Sequence, residues 1–214
     1  MDQDFIRFGL SALVTLLVVV DPPGVVPIYV ALTKDEKRSR QRAILIRAVL
    51  IAFGVAMFFL VAGRAVLSYL GVTVHAFSIS GGILLFVAAM PMLFGQRGGL
   101  QSPEPTEQGS KGNDISVFPL AMPLLSGPGT IATILLLTSQ TGGDMKRLLS
   151  IGVAIAVVFL ISFVALYMGG RLISLVGEGG VHIATRVMGI VLAALAVQYV
   201  LNGMTGYYKL LTGQ

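Results

Sequence analysis

Long uncharged runs, separated by short charged segments, dominate the pattern of this chain. No charged residue lies between Arg47 and Arg64, and the stretches 115–143, 148–170 and 187–208 also carry no formal charge. A helix that crosses a bilayer needs about 20 predominantly apolar residues. The pattern therefore predicts an all-α membrane protein with six spans, at about 5–33, 43–63, 75–95, 117–139, 148–169 and 183–204. Residues 64–74 either extend the second span or lie at the membrane interface.

Composition supports a lipid-facing surface and excludes several other classes of protein. Of the 214 residues 55% are hydrophobic and only 12% are charged, whereas soluble domains average about 25% charged residues. The net charge of +5 does not indicate nucleic-acid binding, because the basic residues lie in short connections between apolar runs. There is no cysteine, so disulfides and thiolate metal sites are excluded. His75 and His182 have no carboxylate cluster beside them, and we expect no metal and no cofactor.

The distribution of Lys and Arg predicts the orientation. Loops after the first, third and fifth spans carry ten of these residues, namely Lys34, Lys37, Arg38, Arg40, Arg42, Arg47, Arg97, Lys111, Arg171 and Arg186. The opposite side carries five, namely Arg7, Arg64, Lys146, Arg147 and Lys209. Because cytoplasmic loops are enriched in Lys and Arg, the chain is predicted to lie in a bacterial inner membrane with both termini periplasmic or extracellular. The basic loop 34–42 is interpreted as a topology determinant.

The two halves of the chain resemble each other. At an offset of 105 residues, Pro23-Gly24 matches Pro128-Gly129, and at an offset of 107, Val74-His75 matches Val181-His182. The predicted units are a first repeat at 1–96, a flexible cytoplasmic linker at 97–116 that is rich in Gly, Pro and Ser, and a second repeat at 117–214. Three spans in each half make the repeats inverted with respect to the membrane, as in many secondary transporters. An old duplication with a purely structural role is the alternative.

Two short motifs interrupt the first and fourth spans at equivalent positions of the repeat. They are Asp21-Pro22-Pro23-Gly24 and Ser126-Gly127-Pro128-Gly129. Proline removes a backbone donor and clashes with the preceding turn, so both spans are predicted to be broken in mid-membrane. A broken backbone in lipid must face protein or a water-filled cavity. Each second half-helix is expected to offer free N–H groups that suit a carboxylate, and the small residues, together with Thr130, are expected to leave room for a small ligand.

The role of Asp21 has two readings from sequence alone. A carboxylate within a span is costly and indicates function, so Asp21 is a candidate ligand for a substrate ammonium group, a proton or a cation. Asp and Ser are also good N-cap residues, and Asp21 can serve as a cap with or without such a role. For Ser126 the cap is the favoured reading.

Other polar positions give weaker signals. Gln198 and Asn202 share one face of the last helix, where hydrogen bonding between helices is favoured over a polar path. Pro27 and Pro91 are interpreted as kinks or packing features rather than as ligands. None of the common nucleophile, zinc-protease or phosphate-loop motifs is present in the sequence, so the chain is not expected to be an enzyme.

At these motifs the chain resembles the MarC/SnatA family of membrane proteins. The resemblance is carried by the segment from Asp21 to Ile28 and by the segment from Pro119 to Ala132. It extends to Ser80-Gly81-Gly82 and to Arg186-x-Met188-Gly189, and so covers nearly the whole chain. One departure is Pro23, where the family often has a larger apolar residue, and this leaves the size of the substrate open.

The resemblance implies a six-span fold of two inverted three-helix repeats that transports small neutral amino acids such as glycine, alanine or serine by alternating access. It places the substrate between the broken first and fourth spans. The implied binding residues are Asp21, Pro22, Pro23, Gly24, Ser126, Gly127, Pro128, Gly129 and Thr130. Coupling to H⁺ or Na⁺, the direction of transport and a homodimer stay open, and a membrane scaffold and an intramembrane enzyme remain the rival functions.

Overall fold

The computed structural model describes residues 3–94 and 114–212, and all its regular elements are helical. The α-helices are α1 (Gln3–Val20), α2 (Pro22–Thr33), α3 (Arg38–Tyr69), α4 (Val74–Phe94), α5 (Pro128–Ser139), α6 (Met145–Tyr167) and α7 (Gly169–Thr212). A π-helix (Ser116–Leu125) precedes α5. Most of the predicted linker at 97–116 lies outside the described residues.

Five segments are long and apolar enough to cross a membrane, and a sixth results if the π-helix and α5 form one span. The five are Phe5–Thr33, Arg38–Tyr69, Val74–Phe94, Met145–Tyr167 and Ile183–Thr212. Their positions agree with the prediction from the apolar runs, but the second and last helices are longer than predicted. Residues 64–69 extend α3, and the last helix continues to Thr212.

Helices α4 and α7 pack closely along their length because small residues face the partner backbone. An added Cβ on Gly82 would lie 2.7 Å from the carbonyl oxygen of Ala196, and one on Gly203 would lie 2.8 Å from that of His75. Ser78 donates a hydrogen bond of 2.8 Å to the carbonyl oxygen of Tyr199. These contacts fix the third predicted span against the last one.

The main core lies between the remaining helices. Helix α6 packs against α1, α2 and α3, and α3 also packs against the π-helix and α5. Small side chains at four-residue intervals on α3, Ala48, Ala52 and Ala56, are almost fully buried in this core, and they let the neighbouring helices approach closely. The outward faces carry large exposed apolar side chains such as Leu50, Val61 and Leu160, as a lipid-facing surface requires.

The start of the π-helix is tied to α3 at the edge of the apolar region. Arg47 forms a salt bridge of 2.7 Å with Asp114, whose other oxygen accepts hydrogen bonds from the Ser116 hydroxyl and N–H at 2.5 and 3.1 Å. These two hydrogen bonds, with a smaller contribution from Arg47, lower the pKa of Asp114. The chain is therefore anchored where the described second half begins.

Candidate functional site

The first interruption consists of one residue between two helices. Helix α1 ends at Val20 and α2 begins at Pro22, and Asp21 between them has φ 46° and ψ 63°. This left-handed conformation is uncommon for a residue other than glycine, costs of the order of 1–3 kcal/mol, and is concentrated at functional sites. Only 8% of Asp21 is exposed. The fold thus holds a buried carboxylate in a strained conformation at the junction of two helices.

The Asp21 side chain does not cap α2. It accepts no capping hydrogen bond, and its Oδ1 atom is buried without a partner. The carboxylate instead folds over Gly24, where an added Cβ would collide with Oδ2 and lie 2.9 Å from Cγ. Asp21 therefore holds the predicted N-cap position without a side-chain capping hydrogen bond, and its role as a ligand stays a prediction.

The expectation of free donors at the start of α2 is also wrong. Pro22 and Pro23 occupy the first two helical positions and have no N–H group. The N–H groups of Gly24 and Val25 donate to the backbone oxygen of Asp21 at 3.0 and 3.2 Å. The double proline therefore removes the donors that a bound anion would need at this end.

The second interruption lies between the π-helix and α5, which are bent by 48° relative to each other. Non-helical backbone at Phe118 and Met122 interrupts the π-helix itself. Helix α5 begins at Pro128, and the N-cap position belongs to Gly127 rather than to Ser126. The prediction of Ser126 as the cap is therefore wrong by one residue, because the proline fixes the start of the helix one position later than expected.

Helix α5 presents the donors that α2 lacks. The Ile131 N–H donates to the oxygen of Gly127 at 3.1 Å, whereas no acceptor within the described structure pairs with the N–H groups of Gly129 and Thr130. The Thr130 hydroxyl is occupied, since it donates to the oxygen of Leu125 at 3.3 Å. The two unpaired N–H groups and the positive end of the helix dipole give this end alone the character of an anion site.

Both interruptions contain a buried polar atom without a hydrogen-bond partner. Within residues 3–94 and 114–212, the buried side-chain oxygens of this kind are Asp21 Oδ1 and Ser126 Oγ. Ser126 is fully buried. The two residues occupy matching positions at the repeat offset of 105. Because most buried polar groups in proteins are hydrogen-bonded, these two oxygens are candidate ligand-binding groups.

The two interruptions adjoin each other in the fold. Helix α5 packs against α1, and a Cβ added to Gly129 would lie 3.6 Å from Cγ1 of Val19 and 3.4 Å from Cγ of Leu85. The start of α5 therefore lies beside the end of α1, two residues before Asp21. The prediction that the glycines leave open space is wrong, since Leu85 covers Gly129 and the Pro123 carbonyl lies over Gly127.

The prolines of the two motifs differ in their surroundings. Pro22 is buried, while Pro23 and its repeat equivalent Pro128 are exposed. The exposed prolines lie on the outer side of the interruptions, and their main contribution to the site is to shape the backbone.

A basic cavity lies beside the loop 34–42, which the sequence alone indicates only as a topology determinant. It has a volume of about 380 Å³ and lies where α2, α3, α6 and α7 meet. Lys34, Arg38 and Arg42 contribute to it, and their four-residue spacing was a signal in the sequence. Arg171 completes it from α7, and no local pattern links that residue to the others.

Comparison with known proteins places nearly the whole chain in one family. The profile described as "MarC family integral membrane protein" matches residues 6–208. An Escherichia coli (strain K12) protein named UPF0056 inner membrane protein YhgN is 36% identical over 200 residues, which cover 94% of this chain and 98% of that protein. A UPF0056 membrane protein of Archaeoglobus fulgidus is 35% identical over 200 residues, covering 94% of this chain and 93% of the relative.

A third relative is the UPF0056 membrane protein YvbG of Bacillus subtilis, 30% identical over 207 residues, with 96% of this chain and 98% of that protein covered. No solved structure matches the chain. The family suggested by the two interrupted-helix motifs is thus confirmed along nearly the full length. The chain belongs to the MarC family of integral membrane proteins.

Proposed function

We propose that this protein is a secondary transporter that moves small neutral amino acids, of the glycine, alanine and serine class, across the bacterial inner membrane. The observation that carries the proposal is the pair of unpartnered buried oxygens, Asp21 Oδ1 and Ser126 Oγ, at matching positions of two interrupted helices. A group that is buried without a partner is destabilising by about 1–3 kcal/mol. A polar substrate that supplies the missing partners explains why the fold retains both groups.

The chemistry around the two interruptions suits a zwitterion. The unpaired N–H groups of Gly129 and Thr130 at the start of α5 suit the substrate carboxylate. The Asp21 carboxylate, with no donor on Oδ1, suits the substrate ammonium group. Since the start of α2 has no free donor, the substrate is oriented with its carboxylate toward α5 and its ammonium group toward Asp21.

Close packing around the site favours a small substrate. Leu85 and Val19 flank Gly129, and the Asp21 carboxylate covers Gly24. A long or charged side chain on the substrate would have to displace these groups. Pro23 and Pro128 act by shaping the backbone of the site. The proposed binding residues are Asp21, Pro22, Pro23, Gly24, Ser126, Gly127, Pro128, Gly129 and Thr130.

An inverted repeat is the second part of the proposal, and the packing supports it. Helix α6 packs against α1 and α2, and its counterpart α3 packs against the π-helix and α5, the counterparts of α1 and α2. Helices α4 and α7 occupy corresponding places and pack against each other. Both halves also contain a glycine of positive φ ahead of the last span: Gly71 at 68° lies between α3 and α4, and Gly177 at 71° lies inside α7, before its membrane-spanning part.

With three spans in each half, the two halves enter the membrane from opposite sides, and the interrupted helices are broken spans that meet near its middle. Alternating access then arises when one repeat tilts against the other around the site. Both termini face away from the cytoplasm. The Asp21 carboxylate is the candidate acceptor for a coupling H⁺ or Na⁺.

The test is accumulation of radiolabelled glycine, alanine and serine in liposomes that contain the purified protein, followed by chromatography of the accumulated label. We expect saturable uptake of chemically unaltered amino acid. Labelled product of a different mobility would establish an intramembrane enzyme instead. No uptake of any of the three, at any imposed pH or Na⁺ gradient, would refute the proposed substrate class and favour a scaffold.

A further inference from the structure

A basic cavity lies apart from the two helix interruptions, at the ends of the helices on the side predicted to be cytoplasmic. Its volume is about 380 Å³. Four of its lining residues are cationic, namely Lys34, Arg38, Arg42 and Arg171, and no carboxylate lines it. We propose that this cavity binds a phosphate group, carried by an anionic lipid or free in solution.

The positive charge in the cavity is not neutralised by the described protein. None of the four cations takes part in a salt bridge within residues 3–94 and 114–212. The acidic residues nearest in sequence to Lys34, Arg38 and Arg42 are Asp35 and Glu36, and neither lines the cavity. Glu36 is engaged by Arg40, a basic residue outside the cavity, at 3.2 Å. Like charges gathered in one concave site favour an anion, since the concavity focuses their field.

The uncharged polar residues of the wall are already committed to each other. Tyr29 donates to the Gln41 oxygen at 3.0 Å, Gln41 Nε2 donates to the Thr33 oxygen at 2.6 Å, and Thr33 donates to the Tyr29 oxygen at 2.8 Å. This ring fixes the end of α2 against the start of α3. Because these polar groups bond to one another, the cationic side chains are the groups available to a ligand. The same hydrogen bonds hold the cavity wall in place.

The geometry of the cations suits a tetrahedral anion. The Arg42 guanidinium lies over the Tyr167 ring at 5.3 Å, which orients it. Arginine offers several N–H donors in one plane and matches phosphate oxygens in pairs. Lys34 and Arg38 approach from the α2–α3 connection and Arg171 from α7, so a phosphate held by all of them would link the two repeats.

An anionic lipid is the expected carrier of this phosphate. The cavity lies at the ends of helices long enough to span a membrane, and its apolar wall includes Val30, Leu166 and Met168. Basic pockets between helices on the cytoplasmic side of membranes bind the headgroups of such lipids. This inference does not depend on the proposed transport function.

The test is native mass spectrometry of the purified protein in mixed micelles of phosphatidylglycerol, cardiolipin and phosphatidylethanolamine. We compare the unmodified protein with Arg38→Gln/Arg171→Gln and with Arg40→Gln as the matched control. Because each cation near an anionic surface contributes about a fivefold gain in affinity, the double variant should retain at least about tenfold less anionic lipid. The control should match the unmodified protein.

A second arm separates the two sources of phosphate. Inorganic phosphate is titrated into delipidated protein, and the fraction of protein that stays unaggregated after heating is measured. Stabilisation by inorganic phosphate that is lost in the double variant assigns a free anion, and selective retention of anionic lipid assigns a headgroup. Arg171→Gln alone, which leaves the basic loop and its topology signal intact, must show a smaller loss in the same direction, of about fivefold. Equal lipid retention and equal phosphate response in all variants would overturn the proposal.

Discussion

Asp21 and Ser126 stand 105 residues apart in the sequence, and their side chains share one property in the fold: each has a buried oxygen without a hydrogen-bond partner. Asp21 is the single residue between α1 and α2, and Ser126 lies between the π-helix and the N-cap residue of α5. Neither side chain caps the following helix, although both residue types are good caps. The two side chains therefore add little to the stability of the fold, and under the proposed function a polar substrate supplies the missing partners.

Removing the Ser126 hydroxyl should stabilise the protein while it weakens transport. Ser126→Ala deletes a fully buried, unpartnered group, which should raise the free energy of unfolding by about 1 kcal/mol. The matched variant Ser78→Ala deletes an equally buried hydroxyl that donates to the Tyr199 oxygen, and it should lower stability by about 1 kcal/mol. Heating in detergent followed by size-exclusion chromatography measures the stability of both variants. A loss of stability in Ser126→Ala would show that its hydroxyl has a partner.

Gly24→Ala should abolish transport without preventing insertion, because the new Cβ takes the space of the Asp21 carboxylate and displaces it. Gly54→Ala is the matched control, since nothing lies within 4 Å of a Cβ at that position of α3. The control should transport normally and gain up to about 1 kcal/mol of stability from the helix. Uptake is measured at equal amounts of reconstituted protein. Normal uptake by Gly24→Ala would remove the Asp21 carboxylate from the binding site.

Single cysteines should report the inverted orientation of the two halves. The chain contains no cysteine, so Ser39→Cys, beside the first loop of the first half, and Met145→Cys, beside the first loop of the second half, can be labelled selectively. Both positions are exposed. A membrane-impermeant maleimide added outside intact cells should label position 145 and leave position 39 unlabelled until the cells are opened. Labelling of both from the same side would rule out the inverted repeat.

The anchor between Arg47 and Asp114 should stabilise the fold in a pH-dependent way. The pKa of Asp114 is lowered from 3.8, mainly by the hydrogen bonds from Ser116. The contribution of the ionised Asp114 to the stability of the fold is therefore present at pH values above about 4 and is lost as the pH falls through the lowered pKa. Asp114→Asn should lower the midpoint of thermal aggregation at pH 7, and the difference should shrink toward pH 3. An equal difference at both pH values would assign the effect to packing rather than to charge.

The sequence was informative where the physical signal is local. Apolar runs located the spans, because lipid requires about 20 apolar residues in a row. Proline located both interruptions, at Pro22 and Pro128, because its effect on a helix acts within one turn. The absence of free donors at the start of α2 also follows from the sequence, because neither Pro22 nor Pro23 has an N–H group. In this respect the two motifs differ, since the second contains a single proline.

Features that depend on contacts between distant segments were not predictable. The space over Gly129 is filled by Leu85, and no local pattern indicates that neighbour. Arg171 joins the basic cavity from a different half of the chain. The pairing of Arg47 with Asp114 spans 67 residues. Such contacts follow from how the helices pack against each other. The local pattern of a single sequence does not specify that packing.

The central claim is that Asp21 binds the substrate of a transporter, and counterflow tests it most directly. Liposomes containing the unmodified protein, Asp21→Asn or the exposed-residue control Asp35→Asn are loaded with unlabelled alanine and diluted into a trace of labelled alanine. We predict transient accumulation of unaltered label with the unmodified protein and with Asp35→Asn, and none with Asp21→Asn at equal protein content. Equal accumulation with Asp21→Asn would contradict the assignment of the site, and no accumulation with the unmodified protein would contradict the proposed transport of alanine.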